Sequence, residues 1–295
     1  MTQPKPKLKT LKIDFFGGNH TIDLEETPFI TGPNASGKSL ILELINDSIS
    51  LACGREPGFL DRISASPDKP PFSRFELEFD NGMATAISTR PSTNDYTWEL
   101  RIPGKEPYFH DFHIDNTRGI SDVPKEKLVW GTDIACVLNK SGMDIDERLE
   151  RLVDIQPLNI DEDFVNGWMN RMFKGESTPS RNYVNRIHWR AFSKHAIEQW
   201  RNRHYMSTGE LEFFAQLLAV SSGAPLVLLD MPEFGLHMSA QVEYDCFLEE
   251  ASERGVQVIC ATHSPQLFSM LFSRTVDLYE LSQSSTEPDE QDGKE

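Results

Sequence analysis

Apolar residues recur with two different periods along this chain. In Phe75-Glu76-Leu77-Glu78-Phe79-Asp80 every second side chain is apolar, the pattern of a strand with one face against a core. Asn81-Gly82 follows as a hairpin signal, Tyr96–Ile102 resumes the strand character, and Pro103-Gly104 turns it again. Residues 72–112 therefore read as an antiparallel meander. Upstream, residues 8–31 read as two strands, Leu8–Phe16 and Thr27–Thr31. The period then changes. Leu40, Ile41, Leu44, Ile45 and Ile49 are spaced as one face of an amphipathic helix. In the last third, apolar runs at 224–230 and 256–261 predict buried strands. Helices are expected over 238–254 and 265–273, and a last strand over 275–281. Gly54–Pro71 is rich in loop-forming residues, 144–206 is mainly helical in composition, and Ser284–Glu295 is a polar acidic tail expected to be disordered. Strands that alternate with helices in this order make an α/β chain.

Composition narrows the class. The 295 residues are 38% hydrophobic and 10% aromatic, enough for a sizeable core. No apolar run approaches the ~18 residues that cross a bilayer, and the lysine-rich start, Met1–Lys9, has no apolar signal core behind it. A soluble, cytoplasmic protein with no membrane partner is expected. Cys53, Cys136, Cys246 and Cys260 form no C-x-x-C pair, so reduced and mostly buried thiols are expected. A net charge of −17 argues against a surface that binds nucleic acid everywhere.

The candidate chemistry lies where the period changes. Gly32-Pro33-Asn34-Ala35-Ser36-Gly37-Lys38-Ser39 matches the phosphate-binding loop G-x-x-x-x-G-K-[ST] at every fixed position. A strand precedes it and a helix follows, the order the motif requires. The glycines let backbone N–H groups close around an anion. Lys38 would reach the β- and γ-phosphates of ATP, and the Ser39 hydroxyl would ligate Mg²⁺. Pro225–Asp230 is an apolar strand ending in a carboxylate, the shape that supports a phosphate-bound Mg²⁺. Ser207-Thr208-Gly209-Glu210 heads an apolar helix, where a helix cap and a second anion site are both open readings. His263 stands at the carboxyl end of the strand Val256–Thr262, with Ser264 and Pro265 starting the next helix.

The order of these pieces resembles the ABC-type P-loop ATPases, in the non-transporter branch that includes SMC, RecF and OLD-like proteins. The resemblance covers about residues 8–50 and 205–281. It implies an ABC ATPase head with a P-loop core sheet, an antiparallel β meander and a helical lobe. The chain then divides into 1–143, the N-terminal part of the ATPase core; 144–206, the helical lobe; 207–283, the C-terminal part; and 284–295, the tail. It implies that Gly32, Asn34, Ala35, Ser36, Gly37, Lys38 and Ser39 bind ATP. Ser207 and Gly209 would be the signature that contacts ATP on a partner subunit. Ser39 and Asp230 would serve the metal, His263 would be the switch histidine, and Phe234-Gly235-Leu236-His237 the loop at a dimer seam. One departure matters: the family places a catalytic Glu directly after the strand-end Asp, and here Met231 stands there. A thioether cannot accept a proton from water. Glu233, two residues on, is the candidate replacement, and slow hydrolysis is expected, with Met231→Glu raising it. The glutamine loop of the family has no clear counterpart; Gln156 is a weak candidate.

Residues 164–206 carry eight Lys and Arg against two Glu, a balance of +6, with aromatics interleaved. Such a stretch can track a nucleic acid strand. Residues 144–163 carry eight acidic side chains against two Arg, a balance of −6, so neutralisation within or between subunits explains both runs without nucleic acid and is the favoured reading. By resemblance, such compact ATPases pair their heads, as a homodimer or a higher oligomer. They control a separate effector, a nuclease or toxin, in antiviral defence. The other readings are a DNA-end-binding repair ATPase and, disfavoured by the signature and histidine motifs, a transporter subunit.

Overall fold

The computed structural model describes residues 6–15, 18–25, 29–34, 36–53, 72–89, 96–112, 136–141, 161–173, 207–270 and 275–278. Two sheets face each other across one helix. The first is antiparallel and six-stranded. It contains β1 (Leu8–Phe15), β2 (Gly18–Asp23), β4 (Phe72–Phe79), β5 (Ala84–Thr89), β6 (Tyr96–Arg101) and β7 (Tyr108–Phe112), in the order β2-β1-β4-β5-β6-β7. The second is parallel, with β3 (Phe29–Thr31), β8 (Cys136–Lys140), β9 (Leu226–Asp230), β10 (Gln257–Ala261) and β11 (Thr275–Asp277) in the order β11-β3-β10-β9-β8.

Helix α1 (Lys38–Ala52) fills the space between them. It touches β4 and β5 on one side and β8, β9 and β10 on the other. The expected one-faced amphipathic helix is therefore buried almost all round: Ile41, Leu42, Leu44, Ile45, Ile49 and Leu51 are all inside. A helix packed by two sheets has no solvent face to keep polar.

Strand alternation sorts the core into two layers. Leu226 and Leu228 of β9, with Ile259 and Ala261 of β10, face α1 and the antiparallel sheet. Val227 and Leu229, with Val258 and Cys260, face the opposite layer of helices. Both faces are covered, so these strands read as continuous apolar runs. The opposite layer holds α2 (Glu162–Phe173), α3 (Thr208–Ser221), α4 (Met238–Val242), α5 (Tyr244–Glu253) and α6 (Pro265–Met270). Its aromatic centre packs edge to face: Phe213 on Phe247 at 5.3 Å, Tyr244 on Phe247 at 5.3 Å and Trp168 on Phe247 at 5.5 Å between centroids.

The meander forms where expected, with Phe75, Leu77 and Phe79 facing the core. Three other expectations change. Residues 8–31 hold three strands, because His20–Leu24 alternates and folds back on β1 with Thr10 opposite Asp23. The helix expected over 238–254 breaks at Glu243, which ends α4 and caps α5. Strand β8 had no counterpart among the expected elements. Cys53 is half-buried, Cys246 exposed and Cys260 buried, all as free thiols, so burial is not general among them. No helix among the described residues is long and apolar enough to cross a membrane. The loop expected over 54–71, Gln156 and the tail at 284–295 lie outside the described residues.

Candidate functional site

The carboxyl ends of β3, β9 and β10 and the start of α1 converge. The chain leaves β3 at Thr31 and enters Gly32, whose φ is 146°. A φ in this range favours glycine, and a Cβ there would also crowd Ser36 Oγ at 2.8 Å. Gly37 is left-handed, φ 94° and ψ 8°, and is the N-cap of α1. No side chain caps this helix start, which leaves its first amides and the positive end of its dipole for an anion. Asn34 is exposed beside the turn; Ala35 lies outside the described residues.

Lys38 is buried. Its Nζ donates to Gly32 O at 2.8 Å, to Pro33 O at 2.7 Å and to Ser36 Oγ at 3.3 Å. Burial lowers its pKa from the ordinary lysine value, and the nearby carboxylates Asp230, Asp277 and Glu233 pull it back up. At the second residue of α1, Ser39 Oγ donates to Asp230 Oδ1 at 3.0 Å. This links the glycine loop to the end of β9 across 191 positions of sequence. A hydroxyl and a carboxylate side by side are hard oxygen donors of the kind Mg²⁺ takes, alongside phosphate oxygens and water. Among the described residues no group of three or more His, Cys, Asp or Glu could hold a metal ion.

After Asp230 the backbone turns sharply. Met231 has φ 53°, the one positive φ at a non-glycine among the described residues. Its N–H donates to Ala261 O at 2.8 Å, and Phe234 N–H donates back to Met231 O at 3.0 Å. A side chain held left-handed costs on the order of 1 kcal/mol, and the result is a tight bend that returns Glu233 to β10. Glu233 Oε1 accepts the backbone N–H of His263 at 2.8 Å. Its other oxygen, Oε2, is buried without a hydrogen-bond partner. The His263 ring is exposed at the same strand end, and Thr262 N–H donates to Ile30 O, fixing that end against β3.

The Ser207 turn sits at the head of α3. Ser207 Oγ accepts from Glu210 N–H at 3.3 Å, and Glu210 Oε2 accepts from Ser207 N–H at 2.8 Å, a reciprocal capping box. Gly209 presses on the loop that follows β9: a Cβ on it would lie 2.2 Å from Gly235 O. Phe234 and Met238 beside this contact are exposed, at 44% and 58%.

Sequence reasoning missed two parts of this region. Asp277 ends β11 beside Thr31 and faces Lys38 closely enough to raise its pKa; an Asp closing a short strand, as at 230, was the available signal. Gln216 of α3 donates from Nε2 to Pro232 O at 2.8 Å and accepts the Tyr244 hydroxyl. Burial holds the Tyr244 phenol well above its ordinary pKa, so it stays a donor. Nothing local marks Gln216, whose role comes from the packing of α3 under the 231–237 bend.

A parallel sheet, a glycine turn opening onto a bare helix start, a buried lysine and a serine–aspartate pair define a P-loop nucleotide-binding α/β protein. The model of the family described as "AAA domain, putative AbiEii toxin, Type IV TA system" matches residues 29–269, and the chain belongs to this AAA_21 family of P-loop ATPases. No curated protein matches it. Among solved structures it is similar to the SMC head domain from Thermotoga maritima, at 15% identity over 89% of this chain and 91% of that one, with a TM-score of 0.46. It is also similar to the Smc head domain with an extended coiled coil bound to the C-terminal domain of ScpA derived from Pyrococcus furiosus, at 14% identity over 90% and 91%, TM-score 0.41. A third is a dimeric ATP-binding cassette in a post-hydrolysis state bound to ADP and Pi, at 16% identity over 89% of each chain, TM-score 0.39.

Proposed function

We propose that the chain binds ATP with Mg²⁺ at the glycine loop, hydrolyses it slowly, and uses the bound state to pair two ATPase heads that control a separate effector. The observation that carries this is the Ser39–Asp230 bond, which brings the two halves of the motif set together beside Lys38. Bound Mg²⁺ would neutralise charge on the phosphates. Lys38 would exchange the carbonyls of Gly32 and Pro33 for phosphate oxygens. Ser39 and Asp230 would supply metal-side oxygens. Glu233, held at Oε1 by His263 N–H, would accept a proton from water; its Oε2 is enclosed and must turn outward to do so. The His263 ring, exposed at the end of β10, would contact the terminal phosphate. Met231 leaves the usual base position without a carboxylate, which is the reason for slow turnover.

The exposed Ser207 turn would meet the nucleotide of a second head, with Phe234 and Met238 at the seam. Membership of a family described as a putative toxin of a type IV toxin–antitoxin system supports a defence role; the separate nuclease or toxin effector is part of the proposal. Within the described part of the basic stretch, Phe164 and Trp168 are buried in the core, and Arg171 stacks 4.6 Å over Trp168 and pairs with Glu243. That favours internal neutralisation over nucleic acid contact.

The test is ATP binding and phosphate release by the full chain and by Lys38→Ala, with the mass in solution followed by light scattering. Lys38→Ala is expected to weaken ATP binding about 100-fold, the scale of losing a buried cation from a phosphate site. The unaltered chain is expected to double its mass with ATP. A chain that loads ATP and stays single, or Lys38→Ala that binds normally, would overturn the reading.

A further inference from the structure

Beside Asp230 the parallel sheet carries a second charged position. Lys140 ends β8 in register with Asp230 at the end of β9. Leu138 and Leu228, two residues earlier on each strand, pack into the same layer around α1. Side chains two apart on a strand share a face, so Lys140 and Asp230 both project toward α1. There the ammonium of Lys140 pairs with the carboxylate of Glu43. Glu43 is largely enclosed, with 9% of its side chain exposed, and Lys140 has 22%.

On α1, Glu43 stands four residues after Ser39, on the same stripe and one helical turn (~6 Å) away. The result is a pair of rungs. Ser39 meets Asp230, and one turn deeper Glu43 meets Lys140. The deeper rung is a neutral ion pair in a partly enclosed space, next to the oxygens that would serve a divalent cation. Charges there are weakly screened.

We infer that the Glu43–Lys140 pair sets the divalent-cation affinity of the nucleotide site: Lys140 repels the cation, Glu43 attracts it, and their pairing holds the two in balance. This rests on the ATP–Mg²⁺ reading of the Ser39–Asp230 site. Protonated lysine has no lone pair to give a metal, so Lys140 acts through its charge and is a positioning residue, not a ligand. Glu43 acts through its charge in the opposite sense.

The consequence is a pair of opposite shifts. Glu43→Gln adds one positive charge and Lys140→Met removes one, in side chains of similar length. A unit charge acting on a divalent cation one helical turn away changes its affinity about tenfold even at the dielectric constant of water. The experiment titrates free Mg²⁺ into the full chain at saturating fluorescent non-hydrolysable ATP analogue and reads the Mg²⁺ concentration at half-response. Glu43→Gln is expected to raise that concentration about tenfold and Lys140→Met to lower it about tenfold. The double variant and Lys140→Arg should stay within about threefold of the unaltered chain. Far-UV circular dichroism checks folding, and Lys140→Arg with Glu43→Gln decides the matter if Lys140→Met does not fold.

A pair that only holds α1 to β8 would make every disruptive variant worse in the same direction. Shifts of the same sign, or folded variants with no shift, overturn the inference while leaving the ATP site intact. An unaltered chain that takes up no analogue at any Mg²⁺ concentration overturns the nucleotide reading and the inference with it.

Discussion

Glu233→Gln isolates the proton-accepting step from everything else the loop does. The Oε1 atom of Glu233 accepts His263 N–H at 2.8 Å, and the amide oxygen of glutamine can accept the same bond. The bend from Met231 to Phe234 is held by backbone bonds and does not depend on the charge. What the substitution removes is the carboxylate charge, and with it the basicity a general base needs. A positioned general base contributes about 10²–10⁴-fold, so kcat is expected to fall by that factor, about 3–5 kcal/mol in barrier. ATP affinity should stay within about threefold, because Lys38, Ser39 and Asp230 are untouched. Stability should change by no more than about 1 kcal/mol, the scale of one hydrogen bond exchanged for another. Steady-state phosphate release and equilibrium ATP binding measure the two quantities separately. Glu233→Ala serves as contrast: it also orphans the His263 amide and should lower stability as well as turnover. A Glu233→Gln chain that hydrolyses ATP within about threefold of the unaltered rate would refute Glu233 as the base, and would return attention to the neighbourhood of Met231.

Two further outcomes follow from the packing. Gly209→Ala drives a Cβ to 2.2 Å from Gly235 O, a backbone atom that cannot swing away. A cost of about 1–3 kcal/mol in urea unfolding is expected, with lowered turnover because the displaced loop carries Glu233; an unchanged urea midpoint would count against the contact. On the outer face of the antiparallel sheet, burial alone pushes the Glu76 carboxyl up, but hydrogen bonds from Arg74 and Arg101 outweigh it and hold the pKa near 2, down from the ordinary 4.5. A depressed acid pKa gives stability that is complete above about 4.5 and is lost as pH falls toward 2. The arginines are 45% and 37% exposed, so screening leaves about 1–2 kcal/mol. Glu76→Gln is expected to flatten the fall of unfolding free energy between about pH 4.5 and 2 by that amount, and an unchanged slope would refute the assignment.

The phosphate loop, the strands ending at Asp230 and at His263, the Ser207 cap and the meander could all be read along the chain. Each depends on chemistry within a few residues: glycines that permit positive φ, alternation that fixes a face, a serine three positions before a glutamate. The two-strand reading of 8–31 missed β2 because it carries a single apolar residue, Ile22, among polar neighbours. The one-faced reading of α1 failed because periodicity reports where apolar residues lie and does not say how many sheets will cover them. Beyond these, the site depends on distant partners. Glu233 reaches His263 N–H only because β9 and β10 lie parallel and in register and Met231 bends left-handed. Lys140 stands beside Asp230 only because β8, whose short apolar run ends just before Ser141-Gly142, joins the edge of the parallel sheet. Parallel pairing is a long-range event whose register is set by the packing of both faces, so local sequence names the parts of such a site while the assembled sheet chooses which charges become neighbours.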